Sequence, residues 1–175
     1  GALKKEYLLD ASDCISYLTQ KKGILTENEI YKIGSHVWGC DACQIKCPYN
    51  RNKKETEREE MQFFDRDLEY FLSLERKSPP AELKNTAISW RGIRILIRNA
   101  LISAANEKRE EYFHLIKEKL NDNSPIIRYY AARALIKINY KKSQDLIAEY
   151  LNTENEKYRD KIKKVLKLEE ESNGY

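Results

Sequence analysis

The class of fold is decided by one stretch of the sequence, Ser124-Pro125-Ile126-Ile127-Arg128-Tyr129-Tyr130-Ala131-Ala132-Arg133-Ala134-Leu135-Ile136-Lys137-Ile138. Apolar residues recur in it every three or four positions, which predicts an α-helix with one buried face. Ser124 is a favoured residue just before a helix, and Pro125 suits the first helical position, which needs no N–H donor. A helix is therefore expected from Pro125 to Ile138.

Four further stretches with helical spacing lie around this one. Their limits are Ile88 to Ala105, Lys108 to Leu120, Gln144 to Leu151 and Glu156 to Leu168, and Ser143 is expected to cap the third of them. The whole chain of 175 residues has only 6 Gly and 4 Pro, which is few for the many turns of a β-sandwich. The expected fold class is all-α.

The helices also show weak self-similarity, which indicates a repeat architecture. An offset of 34 residues lays Arg94 on Arg128 and Leu101 on Leu135. Helix pairs that recur at about 30 to 45 residues are typical of α-solenoids, and the stretch from Leu120 to Leu135 resembles a HEAT repeat. We therefore expect HEAT-like α-solenoid repeats in which Arg128 bridges adjacent helices. An irregular helical bundle with chance periodicity stays open.

The N-terminal part of the chain has a different pattern. Thr26, with Glu29 three residues later, predicts a capping box at the start of a short helix that ends near Gly34. The stretch from Asn50 to Glu60 is almost wholly polar, as expected of a solvated linker or the start of an exposed helix. We expect a cysteine-bearing segment at residues 1–60, a linker at residues 61–85 and a helical repeat domain at residues 86–175.

The positive charge of the chain is concentrated in its second half. The formal net charge is +4, and residues 86–175 alone hold 18 Lys and Arg against 13 Asp and Glu. Arg91, Arg94 and Arg98 stand at i, i+3 and i+7, and Arg133 and Lys137 stand at i and i+4. Such a stripe is suited to follow a phosphate backbone, which predicts nucleic-acid binding. The alternative is that these side chains only solvate outer helix faces or pair with nearby glutamates.

The same sequence excludes a membrane-spanning protein. No run approaches the roughly 18 to 20 apolar residues that cross a bilayer, and the first twenty residues are too charged for a secretory signal peptide. A cytoplasmic, monomeric protein is expected. Because the chain begins Gly1-Ala2-Leu3 and its single Met is Met61, we also expect it to be part of a longer protein.

All 4 cysteines lie near the start of the chain, at Cys14, Cys40, Cys43 and Cys47, the last followed by Pro48. Without a secretory signal a disulfide framework is disfavoured, and four buried structural thiols would not need to cluster. Zinc is chemically suited to four thiolates but usually takes two well-separated Cys pairs. The spacing Cys-x-x-Cys-x-x-x-Cys-Pro matches the end of the bacterial two-cluster ferredoxin run. An iron–sulfur site explains it best, with zinc as the alternative.

Two longer blocks around these cysteines resemble the second cluster motif of the epoxyqueuosine reductases. The blocks are Leu9-Asp10-Ala11-Ser12-Asp13-Cys14-Ile15-Ser16-Tyr17-Leu18-Thr19 and Trp38-Gly39-Cys40-Asp41-Ala42-Cys43-Gln44-Ile45-Lys46-Cys47-Pro48-Tyr49-Asn50. Later, Thr86-Ala87-Ile88 and Arg91-Gly92 leading into Leu96-Ile97-Arg98-Asn99-Ala100 resemble the start of that family's C-terminal HEAT-like domain.

The resemblance implies an oxidoreductase that reduces epoxyqueuosine to queuosine at the wobble position of tRNA, with cobalamin and two 4Fe-4S clusters. It implies a partial ferredoxin-like segment in which Cys14, Cys40 and Cys43 are ligands of the second cluster and Cys47 is lent to the first. The family's first cluster motif, its N-terminal cobalamin-binding domain and its proposed acidic proton donor are absent from these residues. The chain alone is therefore expected to hold no catalytic residue and to be inactive.

Two other functions stay open. One is a related cobalamin and iron–sulfur reductase of a small substrate, as in the reductive dehalogenases. The basic helical region argues against it, because a small substrate needs no phosphate-binding surface. The other is a non-enzymatic protein, either a metal-stabilised helical-repeat scaffold or a ferredoxin-like electron carrier.

Overall fold

The computed structural model describes residues 1–50, 67–78 and 80–173. The polar residues 51–60, expected to be a linker or an exposed helix start, and residues 61–66 of the expected linker lie outside this described part. Within it the chain is mostly helical, as predicted. Beside the helices of the expected all-α class, the described residues include one short antiparallel pair of strands, Leu3–Lys5 (β1) and Leu8–Leu9 (β2). No helix of the described residues is long and apolar enough to cross a membrane.

The α-helices of the described residues include the central one with the bounds predicted from its sequence. Short 3₁₀ turns join several of them, for example before α1 and on both sides of α7. In chain order the α-helices are α1 Ile15–Gln20, α2 Glu27–Ile33, α3 Ala42–Ile45, α4 Leu68–Ser73, α5 Ala87–Arg91, α6 Ile93–Asn106, α7 Phe113–Glu118, α8 Pro125–Ile138, α9 Tyr140–Leu151 and α10 Glu156–Asn173.

One of the predicted helix starts is confirmed in full. Thr26 Oγ1 accepts the Glu29 N–H at 3.3 Å while the Glu29 carboxylate accepts the Thr26 N–H at 2.9 Å, so the predicted capping box is present. Pro125 opens α8 as predicted, but the Ser124 side chain makes no capping hydrogen bond. Ser143 is not a cap either, because α9 begins earlier, where Asn139 accepts the Lys142 N–H at 3.0 Å.

The helix predicted from Ile88 to Ala105 is divided into α5 and α6. Gly92 separates them with a φ of +81°, a left-handed conformation that glycine adopts without the steric cost other residues carry. The backbone therefore changes direction between Arg91 and Arg94, and these two arginines lie on different helices.

Helix α8 lies at the centre of the fold. It packs against α6, α7, α9 and α10, and its Leu135 is fully buried. The same apolar core includes Leu18 of α1 and Ile30 of α2. The cysteine-bearing segment and the later helices therefore share one interior, which removes their apolar faces from water together.

The described part of the stretch expected to be a linker, residues 67–78 and 80–85, contributes to this core. It contains α4, which packs against α6 and α7 and buries Phe71 and Leu72. The polar flanks of this stretch suggest a linker, but its short apolar run is long enough to form a helix of nearly two turns. The expectation of a linker is wrong for these residues.

Arg128 bridges helices as expected, through Glu154 in the turn between α9 and α10. Arg128 Nε donates to Glu154 Oε2 at 2.7 Å, and Arg128 Nη2 donates to Oε1 at 2.8 Å. The Tyr150 hydroxyl and the Asn155 N–H also donate to this carboxylate, which is fully buried. Burial raises the pKa of Glu154, but these donors outweigh it and hold that pKa at about 2.

Glu154→Gln is expected to lower the free energy of unfolding by about 2 to 4 kcal/mol at neutral pH, because Arg128 loses its buried carboxylate. Folding lowers the pKa of Glu154 from 4.5 to about 2. Its stabilising effect is therefore complete above about pH 4.5 and disappears as the pH falls toward about 2.

Urea unfolding of both proteins between about pH 7 and about pH 2.5 measures this effect. The stability difference between wild type and Glu154→Gln should shrink through the window from about 4.5 to 2. Glu170→Gln, on an exposed face of α10, is the matched control and should change stability by less than about 0.5 kcal/mol. A difference that stays constant with pH would contradict the depressed pKa.

Candidate functional site

The four cysteines lie on the short turns of the N-terminal segment. Cys14 immediately precedes α1, Cys40 precedes α3, Cys43 lies within α3, and Cys47 follows it. The Cys47 N–H donates to the Gln44 carbonyl at 3.2 Å. The Asn50 side chain closes the same loop by donating to the Gln44 carbonyl at 3.2 Å and to its side-chain oxygen at 2.8 Å.

All four thiols are free, with Cys43 exposed and the other three half-buried. Free thiols on short turns are a donor set that fits an iron–sulfur cluster, in which each cysteine binds a different iron. In the described part of the chain, no three His, Cys, Asp or Glu side chains are grouped so that they could hold one metal ion.

A buried polar network joins α6 to α1 and to the cysteine loop. Asn99 Nδ2 donates to the Thr19 carbonyl at 2.8 Å and to the Val37 carbonyl at 2.7 Å. Thr19 Oγ1 accepts the Gly39 N–H at 3.1 Å, one residue before Cys40. Because Thr19 and Asn99 are both 0% exposed, these hydrogen bonds are shielded from competing water.

Arg98 belongs to this network, so its expected place on an exposed stripe is wrong. Its side chain is 0% exposed, and burial lowers its pKa, although a guanidinium keeps its proton in proteins. It donates to carbonyls at and just after the end of α1, those of Leu18 and Thr19 at 3.4 Å, Gly23 at 3.3 Å, and Lys21. The last carbonyls of a helix have no partner within it and carry partial negative charge, so the cation is satisfied there.

Arg133 and Lys137 are also engaged inside the fold rather than on an open stripe. Arg133 is 4% exposed, and its Nη2 donates to Glu27 Oε2 of α2 at 2.7 Å. Lys137 forms an ion pair with Glu169 of α10. Both point toward neighbouring helices because α8 is central, with helices packed on several of its faces. The structure therefore places both side chains in ion bridges between helices, with Arg133 buried and Lys137 half-buried, and not on the open stripe expected for nucleic-acid binding.

Arg91 and Arg94 are the two members of the predicted stripe that remain exposed. Neither forms an ion pair or a hydrogen bond through its side chain with the described residues. Trp90, directly before Arg91, is 88% exposed, which is unusual for so large an aromatic side chain. Among the described residues both cations are therefore unpaired, and cations of this kind are suited to phosphates, as an exposed indole is to the face of a base.

Sequence reasoning missed three residues that the structure makes prominent, namely Thr19, Asn99 and Trp90. Asn99 carried a signal, because an amide inside the apolar run Ile95 to Ala105 must find hydrogen-bond partners once buried. Thr19 and Trp90 carried none, since threonine and tryptophan are ordinary residues in short helices and only the packing shows that one is buried and the other open.

Known proteins support the assignment of the cysteine segment. Residues 1–50 match a protein-family model described as a 4Fe-4S double cluster binding domain. The chain is 33% identical over 161 residues to the epoxyqueuosine reductase of Listeria monocytogenes. This match covers 89% of this chain and 42% of that enzyme. This chain is a relative of the epoxyqueuosine reductases. The epoxyqueuosine reductase of Bacillus subtilis is also 33% identical, over 170 residues that cover 94% of this chain and 43% of the enzyme.

The fold also agrees with that of a solved epoxyqueuosine reductase. The crystal structure of that enzyme with a tRNA-Tyr epoxyqueuosine-modified tRNA stem loop matches this chain with a TM-score of 0.78 and 31% identity. The match covers 93% of this chain and 45% of the solved one. This chain therefore spans less than half the length of the epoxyqueuosine reductases it matches here. The resemblance inferred from the two cysteine blocks is confirmed.

Proposed function

We propose that this chain is the C-terminal part of an enzyme that reduces epoxyqueuosine to queuosine in tRNA. The observation that carries the proposal is the set of four free cysteines on residues 1–50. This segment matches the double-cluster family model, and its apolar residues share a core with the later helices. The solved epoxyqueuosine reductase with a bound tRNA stem loop supports the tRNA substrate.

Within this function, the cysteines hold the iron–sulfur groups. Cys14, Cys40 and Cys43 take the second of two 4Fe-4S clusters, and Cys47 is lent to the first. When bound, such clusters pass single electrons. The remaining ligands and the cobalamin site belong to parts of the enzyme other than these residues, so this chain by itself holds no catalytic residue and is inactive. Its own contribution is to place the thiols and to hold the tRNA.

The later helices form HEAT-like repeats in this proposal. The support is the succession α6, α7, α8, α9 and α10, in which α8 packs against each of the others, and the bridge that Arg128 makes to the α9–α10 turn. Stacked helix pairs of this kind give an extended surface for a long ligand. An enzyme of this type is expected to act as a cytoplasmic monomer.

The tRNA-binding surface is formed by Trp90, Arg91 and Arg94. The two arginines neutralise phosphates, and the open indole stacks on an unpaired base of the anticodon loop. Arg98, Arg133 and Lys137 are left out of this surface because their side chains are engaged with other parts of the chain.

The test is binding of an anticodon stem loop over a range of salt concentrations. The double variant Arg91→Glu, Arg94→Glu is expected to bind the stem loop about tenfold more weakly at low salt. Because two phosphate contacts are lost, the slope of the logarithm of the binding constant against the logarithm of the salt concentration should become shallower by about 1.5. Trp90→Leu should weaken binding without changing the salt slope, because no charge is removed.

Lys157→Glu, Lys163→Glu is the charge-matched control. Both lysines are exposed on α10, and this variant is expected to bind nearly as wild type. Equal loss in both double variants would move the tRNA surface to the C-terminal helix. Wild-type binding in the arginine variant would favour the alternatives, a reductase of a small substrate or a metal-stabilised scaffold, neither of which needs a phosphate-binding surface.

A further inference from the structure

Helix α1 depends on side chains from α6 for its end. It has six residues, Ile15–Gln20, which is too short to persist alone in water. Arg98 and Asn99 of α6 donate to the carbonyls of Leu18 and Thr19 near its C-terminus. Because Cys14 immediately precedes this helix, fixing α1 also fixes the backbone that carries the first thiol.

The segment leading to Cys40 depends on the same two helices. Asn99 holds the Val37 carbonyl at 2.7 Å, and Thr19 Oγ1 holds the Gly39 N–H at 3.1 Å. Gly39 itself turns the chain with a φ of +70°, which lets the chain turn immediately before Cys40. The two contacts lie three residues and one residue before Cys40, so the position of that thiol relative to Cys14 is set through Thr19 and Asn99.

We propose that Thr19 and Asn99 are positioning residues of the iron–sulfur site, through which α6 sets the placement of Cys40 relative to Cys14. The proposal rests on the proposed iron–sulfur function. Neither residue carries a ligating atom for iron, since a threonine hydroxyl and an amide are hydrogen-bonding groups here. Both act through the backbone, Thr19 on Gly39 and Asn99 on Val37 and Thr19.

Thr19→Val is the deciding variant, because valine has the shape of threonine without the hydroxyl and leaves both Asn99 hydrogen bonds in place. Hydrogen–deuterium exchange of the Gly39 N–H, measured by NMR on the reduced, metal-free chain, is expected to be about fivefold faster or more. Thr19→Ser keeps the hydroxyl and should restore the wild-type rate. Asn99→Asp is more direct, but it turns a carboxylate oxygen toward two carbonyls and also changes the contact that Arg98 makes with the same side chain, so it alters more than the Val37 hydrogen bond.

Thr86→Val is the matched control. It removes a hydroxyl that donates to the Leu83 carbonyl at 2.9 Å in the turn before α5, and it should leave Gly39 exchange unchanged. The same exchange rate in wild type and Thr19→Val, or equal acceleration in Thr86→Val, would overturn the proposal.

The second readout is the cluster itself. In an enzyme that contains the remaining ligands, reconstituted anaerobically with ferrous iron and sulfide, Thr19→Val should shift the EPR g-values of the reduced cluster and Thr19→Ser should not. Faster exchange with an unchanged spectrum would make Thr19 a structural residue only and overturn its positioning role. Failure of the proposed iron–sulfur function would give a different result. The wild-type protein would then take up no cluster, while exchange of the Gly39 N–H in the metal-free chain would still be faster in Thr19→Val than in wild type.

Discussion

Cys43→Ala is expected to lower epoxyqueuosine reduction by about a thousandfold or more, equivalent to about 4 kcal/mol of barrier, in the enzyme that contains the remaining cluster ligands. Alanine offers no thiolate to iron, and the proposed electron path is interrupted. In the metal-free chain, where Cys43 is an exposed free thiol, the same change should alter the free energy of unfolding by less than about 0.5 kcal/mol. Binding of the tRNA stem loop should stay within about twofold, since the proposed tRNA surface lies on α5 and α6.

Three measurements on one variant separate these effects, namely turnover with a chemical reductant, stem-loop affinity and urea unfolding. Lys46→Ala, an exposed neighbour of the cysteine loop, is the control and should keep turnover near wild type. If Cys43→Ala loses stem-loop binding as strongly as turnover, the cysteine segment supports the structure rather than electron transfer.

Arg98→Met is expected to lower the free energy of unfolding by about 3 to 5 kcal/mol, a large part of the stability of a chain this size. Methionine fills a similar volume but removes the Arg98 donors from the half-buried carbonyls of Lys21 and Gly23 and from the buried side-chain oxygen of Asn99. Urea unfolding followed by circular dichroism measures the change. Since α1 and the Gly39 turn are held by the same network, the cysteine segment should lose protection against hydrogen exchange as well.

Arg94→Met, one turn earlier on the same helix and exposed, provides the matched comparison for Arg98→Met. It should change the free energy of unfolding by less than about 0.5 kcal/mol but weaken stem-loop binding at low salt. The two substitutions are thus expected to have different effects, Arg98→Met on stability and Arg94→Met on stem-loop binding. An Arg98→Met protein of normal stability that binds the stem loop weakly would return Arg98 to the nucleic-acid surface.

Much of the helical pattern could be predicted from the sequence, because its signals are local. Helix α8 has the predicted bounds, and the Thr26 and Glu29 capping box is present. In both cases the interacting groups are within four residues of each other, where spacing alone places them on one face or one turn. The break at Gly92 was missed because apolar residues keep helical spacing across it, while a single positive φ redirects the backbone.

What the sequence by itself determined is most of the helical pattern, which residues are apolar and where the thiols stand along the chain. Only the tertiary structure decided which charged side chains meet solvent. Arg94 and Arg98 share a helix and a spacing typical of one face, yet the first is exposed and the second is 0% exposed. The reason is that burial depends on contacts between residues far apart in sequence, here Arg98 with Leu18 to Gly23. The spacing of residues along one helix predicts which side chains share a face, but it does not predict which other helix packs on that face. The burial of Arg98 therefore follows only from the packing of α1 against α6.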